Sequence, residues 1–530
     1  MKEQTASLTR STMLLTAVGL VAQLLSFVYR VILSRLVGAE VMGLYQLILP
    51  VYSILLSIAV TGLTVGISSL SAGYYAKGNR RAVGQILSTG LKGLVLLWLP
   101  LALVILLFSR PIAAQLLGDS RTRLGLVLLL PVLLLTGVEN LTKHQFYGMG
   151  QVGLPAAVEL GEQFVRTAAV LGLVWLFLPE DPTLTVGLIV LGMLASEIFS
   201  SSTLTWLRRR RGGEAPSGPG EDPGLLRRRL ASIAIPVGTT ALLGNLMASA
   251  NSVLIPRKLM AAGLSEAAAM SAFGVVFGMT LPMLSLPSAF ISALCLAIVP
   301  RLSRCQAMKQ GRECREKVSK ALLAASVIVL PATALLVTLG PDLGQFLFQN
   351  EAVGGYMLPL SLGVVLSSYE SVLAAVLNGI GRQAWSAGIS LLCGALQLAC
   401  TCLGAGLEGF LFGLIFTSML GVLLRLLLVL RWTGLELDLF QSFSGPGLGA
   451  LLSGLCVRLL YRTLGRRSCP PLAVLVSCII VGLFLYFTTL WVLGIHPLRL
   501  FHLTRRSASD SAPPTTRRTG SGAHTRNPPE

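Results

Sequence analysis

Residues 139–151, ENLTKHQFYGMGQ, recur in altered form as residues 370–382, ESVLAAVLNGIGR. In each stretch a glutamate is followed nine residues later by Gly-X-Gly and then a polar side chain. The two stretches are 231 residues apart, and nearly the same spacing relates Pro111 and Gln115 to Pro341 and Gln345, and Pro50 to Pro282. Several landmarks that agree within two residues indicate an internal repeat, so the chain has two related halves.

Composition places both halves in a membrane. The chain has 530 residues, of which 53% are hydrophobic and 12% charged, and its mean hydropathy is +0.75. Soluble domains carry about 25% charged residues, and a water-soluble fold could not cover this much apolar sequence. Because about 20 apolar residues cross a bilayer as a helix, we predict an all-α integral membrane protein with fourteen spans. These are residues 13–33, 44–70, 83–108, 124–141, 154–178, 184–207, 230–255, 270–299, 321–339, 356–377, 385–407, 409–430, 448–464 and 472–493.

The repeat divides these spans into two lobes of six helices and an appended pair. Because six is even, the lobes have the same orientation, and such parallel repeats characteristically enclose a central cavity. Lysine and arginine are concentrated in the loops on the same side as the N-terminus, which predicts that both termini are cytoplasmic. The predicted divisions are an N-lobe (1–211), a cytoplasmic linker (212–229), a C-lobe (230–431), the appended helices (446–494) and a disordered cytoplasmic tail (503–530).

Charge and motifs argue against several function classes. The net charge of +19 comes from short basic loops between apolar runs, which is typical of membrane topology and not of a nucleic-acid-binding face. The nine cysteines include no CxxC pair or Cys/His cluster, so neither a disulfide framework nor a zinc site is predicted. Residues 148–153, GMGQVG, match the GxGxxG pattern but follow a membrane helix, so they are interpreted as a tight turn and not as a nucleotide site. We expect no enzyme activity, no metal and no cofactor.

Ionisable residues inside the spans are the candidate functional residues, since each costs about 2.5–3.5 kcal/mol to insert. Glu162 and Arg166 lie four residues apart on one helix face. They either form a structural ion pair or leave Arg166 to contact an anionic group of a substrate. Glu197 lies near mid-span and is a further candidate for substrate binding. Arg30 either contacts the substrate or extends to the membrane interface.

The repeat aligns Glu139 with Glu370, so these two glutamates are expected at equivalent depths. A structural role at a helix end and a role in gating or coupling both stay open for them. The other ionisable residues of the spans are concentrated in the first half, which predicts a polar cavity lined mainly by the N-lobe. Arg425, in the second half, is expected to extend its side chain toward the cytoplasmic interface.

The sequence also resembles a known family. Residues 31–45, VILSRLVGAEVMGLY, with the run through Pro50 to Ser71, resemble the first two helices of the polysaccharide-exporter branch of the multidrug/oligosaccharidyl-lipid/polysaccharide superfamily. The second half agrees in SAFG at 271–274, LPMLSLP at 281–287 and IVPRLS at 298–303. Within that branch the chain most resembles the stage V sporulation protein B group.

This resemblance implies a flippase with a V-shaped cavity in a bacterial inner membrane, which carries a polyprenyl-diphosphate-linked sugar such as lipid II. It implies that Arg30 and Arg166 meet the diphosphate, and that the helices at 448–464 and 472–493 form a groove for the polyprenyl tail. A guanidinium binds phosphate through paired hydrogen bonds, which suits this role. The expected partners are the lipid-linked substrate and membrane lipids, with cell-wall synthesis enzymes as further candidates, and the chain is expected to be a monomer.

Two other functions stay open on the sequence. The first is a cation-coupled multidrug antiporter of the same fold, which needs an intramembrane carboxylate. The first helix has none, but Glu159, Glu162 and Glu197 could supply one. The second is a non-transporting scaffold for cell-wall or spore-coat synthesis, which the cytoplasmic tail would permit.

Overall fold

The computed structural model describes residues 2–177, 180–211, 218–404, 406–435, 438–465 and 471–495, and the tail predicted at 503–530 lies outside them. The described chain contains no strand, which confirms the all-α prediction. The helices of the first half and the connection are α1 (Lys2–Leu56), α2 (Gly62–Ala76), α3 (Arg80–Pro111), α4 (Arg123–Gly148), α5 (Gly153–Phe177), α6 (Pro182–Arg211) and α7 (Pro223–Ala261). Those of the second half are α8 (Glu266–Phe273), α9 (Leu281–Leu284), α10 (Ser288–Ala307), α11 (Gly311–Phe348), α12 (Ala352–Gly355), α13 (Met357–Gly379), α14 (Gln383–Leu403), α15 (Leu407–Thr433), α16 (Gly445–Gly465) and α17 (Pro471–Val492).

Fourteen apolar segments of the described chain are long enough to cross a membrane. One of them, Ala17–Ala76, has 60 residues and would be about 90 Å long, three times the thickness of the hydrocarbon core. The helix is interrupted at Gly38, whose φ of 76° and ψ of 177° favour glycine over residues with a Cβ. This segment therefore makes two crossings, as the predicted spans at 13–33 and 44–70 require.

Two further segments, Glu266–Leu284 and Ser288–Gln306, have 19 residues each and together make one crossing. A turn at residues 285–287 joins them. They do not pack side by side within the described chain, as the two legs of a hairpin would. They correspond to the single span predicted at 270–299, and the number of crossings stays fourteen.

The two lobes repeat one packing arrangement. In the first lobe α6 packs against both α4 and α5, and in the second lobe α15 packs against both α13 and α14. The glutamates that the repeat aligns, Glu139 and Glu370, lie on the equivalent helices α4 and α13. Helices α16 and α17 pack on each other and on α11, outside this repeated arrangement.

Helix α7 connects the lobes. It begins at Pro223, where the Asp222 side chain accepts a hydrogen bond from the Leu225 amide at 3.0 Å, so the end of the predicted linker at 223–229 is helical. Its first half packs against α2, and Asn245 donates to Ser57 Oγ at 2.6 Å. The beginning of the seventh span therefore packs on the first lobe.

We call the membrane side where α1 begins the N-terminal side, and the opposite side the far side.

Candidate functional site

The ion pair predicted between Glu162 and Arg166 forms on α5, and α6 adds to it. Arg166 Nη2 contacts Glu162 Oε1 and lies 3.2 Å from Glu197 Oε1. Its Nε donates to Ser196 Oγ, also at 3.2 Å. The two carboxylate side chains are 7% and 4% exposed, while that of Arg166 is 23% exposed. The guanidinium is therefore held by two buried acids from two helices, and its positive charge is neutralised in place.

Glu139, on α4, joins the same cluster. One oxygen from each of Glu139, Glu162 and Glu197 lies within 4.8 Å of the others, and all three residues are buried. Lys143 Nζ lies 3.3 Å from Glu139 Oε1 and 3.7 Å from the partly exposed Glu159. We call Glu139, Glu162, Glu197, Arg166 and Lys143 the first-lobe charge cluster. Lys143 was not among the candidates from the sequence, although its position four residues after Glu139 on one helix would have indicated it.

The first-lobe charge cluster does not balance its charges. Three buried carboxylates face two cationic groups, Arg166 and Lys143. Glu197 Oε2 is buried and accepts no hydrogen bond from the described residues. An uncompensated charge is expensive at this depth, so three ionised carboxylates here would require a further positive charge, such as a proton or a cation.

Arg30 differs from Arg166 in its surroundings. It is partly exposed and forms no ion pair or hydrogen bond with the described residues. It shares a face of the first span with Gln23 and Ser26, which lie seven and four residues before it. Ser26 Oγ donates to Gln163 Oε1 on α5 at 3.3 Å. Arg30 therefore lies on the polar face of the first span, and its guanidinium has no acidic partner among the described residues.

The second lobe holds a smaller, balanced charge pair. Arg425 Nη1 lies 2.5 Å from Glu370 Oε1, and Arg425 Nη2 donates to Ser390 Oγ at 2.6 Å. The expectation that Arg425 extends to the interface was wrong, because its side chain is buried and finds these partners on α13 and α14. The sequence did not indicate the pairing, since Glu370 and Arg425 are 55 residues apart and meet only through helix packing.

The lobes are closed against each other on the far side and separated on the N-terminal side. At the far side, a Cβ on Gly43 would lie 2.1 Å from the Met270 carbonyl oxygen, so the two backbones touch. On the N-terminal side, the inter-lobe hydrogen bonds identified between described residues all involve the linker and first half of α7, within residues 219–249. Among the described residues, hydrogen bonds therefore link the lobes on the N-terminal side, where the basic loops lie, only through α7 and the linker before it.

A family comparison identifies the architecture. Residues 8–306 match the family described as polysaccharide biosynthesis protein. The chain belongs to this family. The match covers the first lobe from residue 8 onward, the connecting helix α7 and the eighth span, and so includes the first-lobe charge cluster and Arg30.

Two relatives show which members of the family this chain resembles. It is 24% identical to stage V sporulation protein B of Bacillus subtilis (strain 168) over 401 residues, which cover 73% of this chain and 75% of that protein. It is 21% identical to lipid II flippase MurJ of the same organism over 415 residues, 74% of this chain and 76% of that one. The predicted membership of the polysaccharide branch, near the stage V sporulation protein B group, is confirmed.

Solved structures confirm the fold. The lipid II flippase MurJ in its inward closed conformation superposes with a TM-score of 0.65 at 11% identity, over 94% of this chain and 99% of that chain. An inward-facing multidrug resistance MATE family transporter of the MOP superfamily superposes with a TM-score of 0.60 at 14% identity, over 80% and 99%. The family member described here therefore has the two-lobed fold of that superfamily.

An apolar groove of about 580 Å³ lies between α14 and α15 of this family member. Its lining is Ala384, Trp385, Gly388, Ile389, Leu392, Leu424, Leu427 and Leu428. Near it, the Arg382 guanidinium lies 4.7 Å from the centre of the Trp432 ring. Aromatic and basic residues of this kind are typical of the membrane–water interface.

Proposed function

We propose that this protein is a flippase that moves a polyprenyl-diphosphate-linked sugar, such as lipid II or a related precursor, from the cytoplasmic to the outer leaflet of a bacterial cell membrane. The observation that carries the proposal is Arg30, a partly exposed arginine on the polar face of the first span that pairs with no carboxylate of the described residues, in a fold whose lobes are separated on the basic N-terminal side. By the positive-inside rule that side is the cytoplasm, where such precursors are made. The family membership and the flippase among the relatives support the same function.

In this proposal Arg30 contacts the diphosphate. Its guanidinium pairs with no carboxylate of the described residues, so phosphate can use its paired donors. Arg166 is a weaker candidate for direct contact with the substrate, because its guanidinium already pairs with Glu162 and Glu197. We assign Glu162 and Glu197 to positioning Arg166, whose partly exposed edge contributes to the polar wall of the cavity.

The charge imbalance of the first-lobe cluster supports a role in energy coupling. A proton or a sodium ion at Glu139, Glu162 or Glu197 would neutralise the third buried carboxylate, and its release would be linked to the movement of the lobes. Glu370 is assigned a structural role, because its pair with Arg425 is balanced. The same imbalance favours one second candidate, a cation-coupled multidrug antiporter.

The polyprenyl tail is proposed to stay in contact with the outer surface of the C-lobe while the head group crosses the cavity. Two apolar surfaces can accept it: the α14–α15 groove and the exposed faces of α16 and α17. The latter carry Leu451, Leu455, Leu459 and Phe484, which are all more than half exposed. A tail that remains in apolar surroundings avoids the cost of transfer into a polar cavity.

The test is translocation by the purified chain. The protein is reconstituted into liposomes that carry fluorescent lipid II in the inner leaflet, and the fraction that becomes accessible to an external quencher is followed over time. We expect translocation by the parent chain, its loss in Arg30→Ala, and normal rates in the control Arg110→Ala, which changes an exposed arginine without a described partner.

The outcomes separate the candidates. Proton- or sodium-driven efflux of a cationic dye without lipid II translocation would favour the antiporter. Failure of both assays with a correctly folded protein would favour the scaffold, whose function needs other enzymes. Translocation by the purified chain alone would exclude a requirement for partner enzymes.

A further inference from the structure

The lobes meet on the far side at a crossing of two backbones that leaves no space for a side chain. A Cβ on Gly43 would lie 2.1 Å from the Met270 carbonyl oxygen, and a Cβ on Gly274 would lie 2.0 Å from the Ala39 carbonyl oxygen. Both distances are far below van der Waals contact, so these positions accept only glycine while the crossing is closed. The fit is reciprocal, since each lobe supplies one glycine and one carbonyl group to the contact.

Two arginines of the first lobe reach across beside this crossing. Arg121 pairs with Asp119 and Glu40 of its own lobe, at 2.7 and 2.5 Å, and its Nε lies 4.0 Å from Glu266 Oε1, at the beginning of α8 in the other lobe. Arg35 Nε donates to the Leu347 carbonyl oxygen at 2.5 Å, and its Nη2 donates to that of Phe346. These carbonyl groups end α11, where a helix has unsatisfied acceptors and a partial negative charge.

We propose that these groups form the far-side gate of the transport cycle. Gly43 and Gly274 form the contact between the lobes, and Arg35 and Arg121, which we call the latches, bridge the lobes beside it. The inference rests on the proposed function only in that transport requires the far side to open. Backbone contact holds only while the lobes are aligned, and the 4.0 Å pair between partly exposed Arg121 and Glu266 is weak. These contacts are close while the lobes are aligned, and all of them are lost together when the lobes move apart. They therefore suit a gate better than a permanent interface.

The contacts of α7 on the N-terminal side provide a contrast. There Gly62 and Gly66 meet Ala234 and Leu230 along two turns of helix, and hydrogen bonds from Asn245 and Ser249 continue the contact toward the membrane centre. This packing keeps the beginning of α7 on the first lobe. The far-side crossing is about as long, since residues 39–46 of α1 meet residues 270–278, but no hydrogen bond joins these two segments among the described residues.

The test measures access to the crossing from the far side. A reporter cysteine replaces Met42, which is fully buried and faces Gly278 of the other lobe, in a chain whose nine native cysteines are replaced by alanine or serine. A membrane-impermeant maleimide is applied to the far side of oriented vesicles. An open form that is about 0.1–10% populated would give slow labelling in the parent, and Gly274→Leu should raise the rate about ten-fold or more.

The matched control is Gly244→Leu, in the same lobe, because nothing lies within 4 Å of a Cβ at Gly244. It should leave the labelling rate at the parent value. If Gly274→Leu labels no faster than this control while its helical content is normal, the proposal is wrong.

A second variant tests the proposal if Gly274→Leu does not fold. Arg35→Ala removes the two hydrogen bonds to the end of α11, and it should also raise the labelling rate. Its control is Arg110→Ala, which makes the same change at an exposed far-side position. Equal rates in these two variants would overturn the latch. Because labelling requires no substrate, faster labelling without lipid II translocation would refute the proposed function and leave the gate standing.

Discussion

Arg425 Nη1 lies 2.5 Å from Glu370 Oε1, and the arginine side chain is only 1% exposed. The pair joins α15 to α13, and the bond from Arg425 to Ser390 adds α14. A charge pair therefore connects the three helices that form the repeated packing unit of the second lobe. The first lobe connects the equivalent helices α4, α5 and α6 with a larger cluster whose charges do not balance.

Removing one member of the second-lobe pair should destabilise the protein strongly. Glu370→Leu leaves a buried guanidinium without its counter-charge, and breaking a buried pair in this way costs about 3–5 kcal/mol. The double variant Glu370→Leu with Arg425→Met should recover most of this loss, since well-packed apolar residues can replace a buried pair. Thermal unfolding of the purified variants measures both effects. The control is Arg431→Ala, an exposed arginine on the same helix, and equal losses in all variants would contradict a structural role for the pair.

The first-lobe cluster should respond in the opposite way to removal of one acid. Glu197→Gln removes one of the two carboxylates that share the Arg166 guanidinium, and with it the surplus negative charge, so we expect unchanged or increased thermal stability. Arg166→Leu leaves three buried carboxylates with Lys143 alone and should cost about 3–5 kcal/mol. A comparable loss of stability in Glu197→Gln would argue against the charge imbalance.

Glu197→Gln should also change how the translocation rate depends on ion gradients. If the third carboxylate carries the coupling cation, Glu197→Gln should make the translocation rate insensitive to imposed proton and sodium gradients. Parallel assays with a proton gradient alone and a sodium gradient alone identify the ion. Unaltered gradient dependence in Glu197→Gln would exclude this residue from coupling.

Packing of α7 on the first lobe predicts a large difference between two glycines of α2. A Cβ on Gly62 would lie 2.1 Å from the Ala234 carbonyl oxygen, whereas nothing lies within 4 Å of a Cβ on Gly73. Gly62→Ala must separate two helices and should cost about 1–3 kcal/mol. Gly73→Ala should be neutral or stabilising by up to about 1 kcal/mol, because alanine favours helix. The difference in melting temperature between the two variants is the measurement, and its absence would mean that the α2–α7 contact is loose.

The appended helices give a prediction about the substrate tail. A chain that stops after Gly434 lacks α16 and α17 but keeps the two repeated lobes intact. If those helices hold the polyprenyl tail, the shortened chain should translocate an analogue with a short prenyl chain normally and the full-length substrate slowly. The ratio of the two rates, in the parent and the shortened chain, is the quantity to compare. Equal slowing of both substrates would assign the helices to stability and leave the α14–α15 groove as the tail site.

Much of the architecture could be predicted from local sequence properties. Apolar runs of about 20 residues predict helices that cross a bilayer, because the backbone there must satisfy its own hydrogen bonds. The 231-residue repeat predicted two lobes, and the lobes do repeat one packing arrangement. The ion pair of Glu162 with Arg166 was also predictable, since residues four apart share a helix face.

The tertiary structure decided what each charge does. Glu197 helps to neutralise Arg166 from another helix, Glu370 retains Arg425 away from the interface, and Arg30 has no acidic partner among the described residues. None of these outcomes follows from spacing along the chain, because the partners are tens of residues apart and meet through the packing of separate helices. By itself the sequence determined a membrane protein of two repeated lobes, since hydropathy and repeat spacing are properties of the chain. Which charges are balanced, and on which side the lobes close, depended on distances of a few ångströms that only the folded arrangement sets.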